Sequence, residues 1–267
     1  GAGVATPRVG EHVTVLPILG CGQCGPCRSG LPARCKTGGH IGTGVPGGFA
    51  EYVVTADLQT FRLPNELRGA QATLVEPMAI GLHLVRRSRI DPMDRVLVIG
   101  AGPVGQAIVA WLRHFGVRSV WASDPLPRRR ALAIEGGADG AIDPVTEDVV
   151  RTFRAGAGAR PDVIFDCAGA RLMDAIEYAN VDARIVSAAY HHQPVSVDVR
   201  WGMAKEIDLL FASWYTSAEF THTLDQVHRG LVAVDHLITD VRPLEALPAT
   251  FHELHGPNDQ GKVVIAI

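Results

Sequence analysis

The chain has 267 residues, 47% of them hydrophobic and 20% charged, with 29 Gly and 17 Pro. That length suits about two domains whose cores need no disulfide staples, and the ordinary charge content excludes a disordered tail protein. The formal net charge is -3 and the basic residues are scattered, with Arg128-Arg129-Arg130 the only triplet, so neither nucleic acid nor an anionic membrane is indicated. The longest uncharged run, Val96 to Leu112, is broken by Gly100, Gly102, Pro103 and Gly105 and is too short to span a bilayer. The opening Gly-Ala-Gly-Val-Ala lacks the basic-then-apolar pattern of a signal peptide. It also lacks an initiator Met, so Gly1 is not expected to be the natural start.

In chain order, residues 1 to about 75 read as β-rich and turn-rich. His12 to Leu16 and Phe49 to Val54 alternate or run apolar as strands do, and the Gly-, Pro- and Cys-rich stretch between them, Gly20 to Gly48, reads as loop. From about 80 to 233 strands and helices alternate. Strands are predicted at Val96–Ile99, Ser119–Ser123, Ala141–Asp143, Asp162–Asp166, Arg184–Tyr190 and Leu209–Ser213. Helices fit the intervals, such as Pro103–Phe115 with Gly116 as its stop and Arg128–Glu135 after Pro127. Short apolar strands alternating with helices predict an α/β fold with a doubly wound parallel sheet. The stretch from His236 ends in Lys262-Val263-Val264-Ile265-Ala266-Ile267, a strand expected to rejoin the first domain.

Three constellations carry chemistry. Gly100-Ala101-Gly102-Pro103-Val104-Gly105 follows an apolar strand and opens a helix, and Asp124 lies 19 residues beyond Gly105 at a strand end. This is a dinucleotide site: glycines for the tight turn, a helix N-terminus for the pyrophosphate, a carboxylate for the adenosine ribose. Asp124 repels a 2′-phosphate and favours NAD, while Arg128, Arg129 and Arg130 leave NADP open. The second is Cys21-x2-Cys24-x2-Cys27-x7-Cys35, whose four thiolates can close a tetrahedral zinc shell with no open position. Such a zinc is structural. A nucleic-acid-binding ribbon competes poorly, since Arg28 and Arg34 are nearly the only basic groups nearby. Closely spaced cysteines without a secretory signal also point to a reducing, cytoplasmic setting.

The third is Glu76-Pro77-Met78-Ala79 at the junction of the two parts. Helix capping by Glu76 is the simpler explanation of the carboxylate, and His83, two turns on along the same face, reads as a core histidine. Cys167 stands alone. His40 and the pair His191-His192 have no reading from spacing.

Together these features resemble the zinc-dependent medium-chain alcohol dehydrogenases, most closely the sorbitol, xylitol and threonine dehydrogenase branch. The resemblance is carried by Gly10-Glu11-His12-Val13, the four Cys, Gly47-Gly48-Phe49-Ala50-Glu51-Tyr52, Leu74-Val75-Glu76-Pro77 and Val98 to Gly105. Asp124 with Arg129, Asp166-Cys167-Ala168-Gly169 and Gly261-Lys262-Val263-Val264 continue it. It implies a GroES-like catalytic domain over 1–80, a Rossmann domain over 81–233 and a return to the first domain over 234–267, assembled as a homodimer or homotetramer. It implies hydride transfer between a secondary alcohol or polyol and NAD(P), with a small-molecule alcohol or ketone as substrate. Gly100, Gly102, Pro103, Val104, Gly105, Asp124 and Arg129 would hold the cofactor. Cys21, Cys24, Cys27 and Cys35 would hold the structural zinc, and Glu76 would serve a catalytic zinc directly or through water.

Of the family's catalytic zinc ligands, only Glu76 maps here. Gly1-Ala2-Gly3-Val4 matches the segment just after the family's Gly-His-Glu. The catalytic Cys, the His-Glu pair and the proton-relay hydroxyl are therefore expected in an upstream segment outside this sequence. The alternative, of a different class, is a nucleotide-binding protein without catalysis that keeps only the structural zinc.

Overall fold

The structure, a computed structural model, describes residues 3–4, 7–67, 69–169, 172–191, 193–256 and 258–267. Gly1 and Ala2 of the opening motif, and His192 of the histidine pair, lie outside the described residues.

The first part is built of short strands: β1 (Val13–Val15), β2 (Ile18–Leu19), β3 (Gly39–Ile41), β4 (Gly44–Val45) and β5 (Thr60–Arg62). β1 pairs antiparallel with β5, while β2, β3 and β4 make a separate small sheet. The Gly20–Gly48 stretch is therefore not all loop. Besides β3 and β4 it carries a helical turn, α1 (Gly25–Arg28), started by Pro26. The strand expected over Phe49–Val54 does not form. Phe49, Tyr52 and Val54 are 58%, 90% and 93% exposed, and among the described residues no strand lies alongside to satisfy their backbone.

The long helix α2 (Val75–Arg87) leads into the second part. It begins two residues earlier than Pro77 suggests, so the proline occupies the third helical position, where its missing N–H still costs nothing. There follow β6 (Arg95–Ile99), α3 (Pro103–His114), β7 (Ser119–Ser123), α4 (Pro127–Glu135), β8 (Gly140–Ile142) and α5 (Val149–Ala157). The series continues with β9 (Val163–Asp166), α6 (Leu172–Tyr178), β10 (Arg184–Ser187), α7 (Val199–Ala204), β11 (Asp208–Phe211) and α8 (Ser217–His228). Among the described residues the six strands form one parallel sheet in the order β11-β10-β9-β6-β7-β8. Chain direction along the sheet reverses between β6 and β9, which opens a crevice outside their carboxyl ends. β10 stops three residues short of the expected Tyr190, because the amides of Ala188 and Ala189 both donate to the Asp166 carbonyl and turn the chain over the end of β9.

α2 and α3 pack closely. A Cβ on Gly81 would stand 2.8 Å from the Ala107 side chain, and the buried Trp111 indole donates to the Met78 carbonyl at 2.7 Å. The closing strands β12 (Ile238–Pro243) and β13 (Lys262–Ala266) pair in parallel, with α9 (Leu247–His255) between them. β13 lines a cavity together with Thr14 and Val15 of β1 and with Glu76, which brings the C-terminal strand back to the first part.

Candidate active site and zinc centre

At the switch point, Gly100 takes φ +90° and its amide donates to the Ser123 carbonyl. A Cβ there would lie 3.1 Å from the Ala168 amide nitrogen, so Gly100 lets the turns after β6 and β9 approach each other. Gly105 is the tighter constraint: its Cβ would fall 2.0 Å from the Gly100 carbonyl oxygen. Gly102 is the N-cap of α3 and offers no side-chain cap, which leaves first-turn amides such as those of Val104 and Gly105 aimed out of the helix end. Pro103 fixes the first helical φ without a donor to satisfy.

Asp124 follows β7 and is only 3% exposed. Its carboxylate accepts from the Ala101 amide and from the Leu126 amide, both at 2.9 Å. It is thus fastened to the glycine loop itself. The three arginines have separate tasks. Arg130 bonds the Asp124 carbonyl and pairs with Asp143 at 3.2 Å, Arg128 is exposed, and Arg129 lies over the loop. The Arg129 Nη1 stands 3.9 Å from the Asp124 carboxylate, and a Cβ on Gly102 would be 3.8 Å from that same nitrogen. Two buried polar atoms around this crevice, Arg129 Nε and Asp166 Oδ2, have no hydrogen-bond partner. Free helix-end amides, a turn with no room for Cβ atoms at Gly100 and Gly105, and unsatisfied polar atoms fit a dinucleotide.

The four cysteines converge. Their Sγ atoms all lie within 4.8 Å of one another, near the roughly 3.8 Å that a tetrahedron of 2.3 Å zinc–sulfur bonds requires. The Cys21 amide points at Cys35 Sγ and the Cys24 amide at Cys21 Sγ, each at 3.4 Å. The Cys21 N–H and the Thr37 hydroxyl pull the Cys35 thiol down to about 6, which favours the thiolate a metal needs. The loop is also too close-set for larger residues: a Cβ on Gly20 would meet Cys27 Sγ at 2.8 Å, and one on Gly38 the Leu19 carbonyl at 2.3 Å. The donor set fits a closed, structural zinc. Cys167 belongs elsewhere, in the turn after β9, where burial first and then the Asp166 charge push its thiol pKa up and leave it inert.

Glu76 is not a helix cap. Its Oε1 accepts from the Tyr215 hydroxyl at 3.0 Å, and no side-chain cap bond is made at the start of α2. Burial raises the Glu76 pKa, against the downward pull of the Tyr215 hydrogen bond and the Lys262 charge. Among the described residues Glu76 belongs to no group of three or more metal-ligating side chains, and the four cysteines form the one such group. The described residues therefore do not assemble a catalytic zinc site around Glu76.

Several neighbours had no signal in spacing. Tyr215, 2% exposed, is 139 residues from Glu76. Trp214 adopts φ +62° and stacks on His40 of the zinc lobe, with ring centroids 3.9 Å apart and planes nearly parallel. His83 is more than a core histidine: its Nδ1 bonds Glu219 at 2.9 Å, and the ring lines a cavity. Burial alone would raise the Glu219 pKa, but His83 and the Thr216 backbone hold the carboxyl below its usual range. His191 lines the same cavity, with Nε2 3.4 Å from the Ser187 hydroxyl and Nδ1 buried without a partner.

Residues 1–65 match the alcohol dehydrogenase GroES-like domain and residues 103–229 the zinc-binding dehydrogenase domain. The starvation-sensing protein RspB of Escherichia coli K12 is 33% identical over 242 residues, 90% of this chain and 71% of that protein. This chain belongs to the zinc-binding alcohol dehydrogenase family. A 2-dehydro-3-deoxy-L-galactonate 5-dehydrogenase of Pseudoalteromonas atlantica is 30% identical, covering 98% of this chain and 76% of that enzyme. Among solved structures, the rspB alcohol dehydrogenase of E. coli CFT073, complexed with NADH, superposes with a TM-score of 0.92 at 30% identity, over 100% of this chain and 80% of that one. As a family member, this dehydrogenase is a zinc-containing oxidoreductase that works with a nicotinamide nucleotide. No helix among the described residues is long and apolar enough to cross a membrane.

Proposed function

We propose that this dehydrogenase interconverts a secondary alcohol or polyol with its ketone, using NAD and taking NADP less well. The single observation that carries the reading is the glycine loop at the sheet's reversal point with Asp124 fastened to it by the Ala101 amide. A bound nicotinamide would supply the acceptor for the carbinol hydride, with the hydroxyl proton released to solvent. The protein's own residues do the rest. Val104 and Gly105 amides bind the pyrophosphate, the Asp124 carboxylate accepts from the ribose hydroxyls, and Arg129 covers the adenosine side. Glu76, in its raised-pKa setting and steadied by Tyr215, belongs to the substrate end, and Cys21, Cys24, Cys27 and Cys35 hold the structural zinc. We further propose the division 1–80, 81–233 and 234–267, a cytoplasmic setting and a homo-oligomer. The last is supported by β11, an open sheet edge on which Phe211 is 68% exposed.

Titration of the protein with NADH and NADPH, followed by turnover of a panel of polyols, tests the reading. NADH binding with reduction of NAD by at least one polyol is the expected result. NADH binding without turnover of any alcohol would favour the non-catalytic nucleotide-binding alternative.

A further inference from the structure

Between the zinc lobe and the carboxyl ends of β10 and β11 lies a cavity of about 290 Å³. Arg34 reaches it from the lobe, His83 and Arg87 from α2, and Ser187, Ala189 and His191 from the end of β10. Its charge is one-sided, for no carboxylate is among its lining residues. Of the acids that contact its lining side chains, Glu219 is engaged by His83 at 2.9 Å and by Arg86 at 3.1 Å, and Glu76 accepts from the Tyr215 hydroxyl at 3.0 Å. Among the described residues the Arg34 guanidinium has no hydrogen-bond or ion-pair partner. Among the described residues that of Arg87 reaches only the Phe211 carbonyl, at the outer limit of 3.5 Å. His191 adds a buried ring nitrogen with nothing to bond.

Two solvent-exposed guanidinium groups with no carboxylate partner among the described residues match the planar oxygens of a carboxylate or the tetrahedral oxygens of a phosphate. The pyrophosphate of the cofactor is provided for elsewhere, at the N-terminus of α3. The cavity instead adjoins the ends of β10 and β11, next to the crevice where the nicotinamide end of a dinucleotide lies in a doubly wound sheet. We propose that Arg34 and Arg87 form an anion subsite that holds the carboxylate or phosphate of an acidic polyol substrate. This deepens the functional reading above and rests on it.

The test uses the NAD-loaded full chain and three six-carbon substrates: a neutral alditol, an aldonate and an alditol phosphate. Arg34→Gln, Arg87→Gln and the double variant are compared with the unaltered chain. The expected result is a preference for one acidic substrate over the alditol, with KM for it rising about tenfold in each single variant and kcat changing little, so that the acidic-to-neutral ratio of kcat/KM collapses in the double variant. The aldonate and phosphate arms identify which anion is read. Arg87→Lys, which keeps the charge but loses the fork, should recover part of the loss. A calorimetric titration of the NADH-loaded protein with inorganic phosphate and with acetate gives a readout free of turnover, and binding should disappear in the double variant. An acidic-to-neutral ratio unmoved by the substitutions, or phosphate that displaces NADH, overturns the subsite while leaving the dehydrogenase reading intact. Loss of NADH binding and turnover in the unaltered chain would instead strike that reading, and the anion titration would still report on the two arginines.

Discussion

At the residue scale, the cofactor site turns on positions where a single atom matters. Asp124, the proposed ribose acceptor, also anchors the Ala101 amide, so Asp124→Ala should weaken NADH binding by an order of magnitude or more while sparing NADPH. Paired fluorescence titrations read this, and unchanged affinity for both nucleotides would sink the assignment. Gly105→Ala should be worse for the fold, since the new Cβ would sit 2.0 Å from the Gly100 oxygen. The turn must open to admit it, and a lowered melting temperature together with lost NADH binding is the expected outcome. These residues were legible in the sequence because strand, glycines and carboxylate follow one another along a single βαβ unit. Tyr215 was not, because its partner Glu76 is 139 residues away and only folding joins them. Neither was the task of Glu76: a carboxylate beside a proline looks like a cap, and the chain alone does not show that its oxygen faces another element.

At the scale of elements, the zinc lobe and the strand pairs of the central sheet make separable predictions. The lobe has little apolar content of its own, and with the metal removed its four thiols would be left to hold it. Metal analysis should therefore find one zinc per chain in this lobe, and Cys24→Ser should lower the zinc content and the melting temperature together. Because His40 in the lobe stacks on Trp214, a change in tryptophan fluorescence should accompany chelation. In the sheet, the Arg95 guanidinium on β6 donates twice to Asp162 beside β9, at 2.7 and 2.8 Å, and the Arg95 backbone N–H and the Asn180 side chain add two more bonds, each at 3.0 Å. Burial alone would raise the Asp162 pKa, but the Arg95 and Asn180 hydrogen bonds carry it below the ordinary value. A depressed folded-state pKa means the stabilisation is present above the unfolded pKa, about 3.9, and lost as pH falls through the folded value. Asp162→Asn should therefore cost about 2 kcal/mol at pH 7 by denaturant unfolding, and the difference from the unaltered chain should close as the pH is taken below 3.9. A gap that stays constant with pH would remove the charge from the explanation. Strand positions were readable from apolar runs within one to three residues. Phe49–Val54 was misread, because a strand exists only with a neighbour to bond and the pattern of side chains does not reveal whether one is there.

For the whole molecule, β11 is an open edge of the six-stranded sheet. Phe211 is its most exposed apolar residue, and Phe211→Asp should shift the proposed homo-oligomer towards smaller species in sedimentation velocity runs. An unchanged distribution would move the interface to another face. The same edge borders the cavity that Arg34 and Arg87 line, so the proposed assembly face and the proposed anion subsite lie at one end of the molecule.

The sequence by itself determined the sheet, its glycine loop with Asp124 and the four-cysteine lobe. Each of these is local: a short period, a run of glycines or a close spacing that fixes geometry within about 30 residues. The tertiary structure alone decided that Glu76 answers to Tyr215, that His83 is backed by Glu219, and that arginines from the lobe and from α2 share one cavity. Those pairs bring together groups far apart in the chain, and their meeting depends on how sheet, helix and lobe pack, which no local pattern encodes.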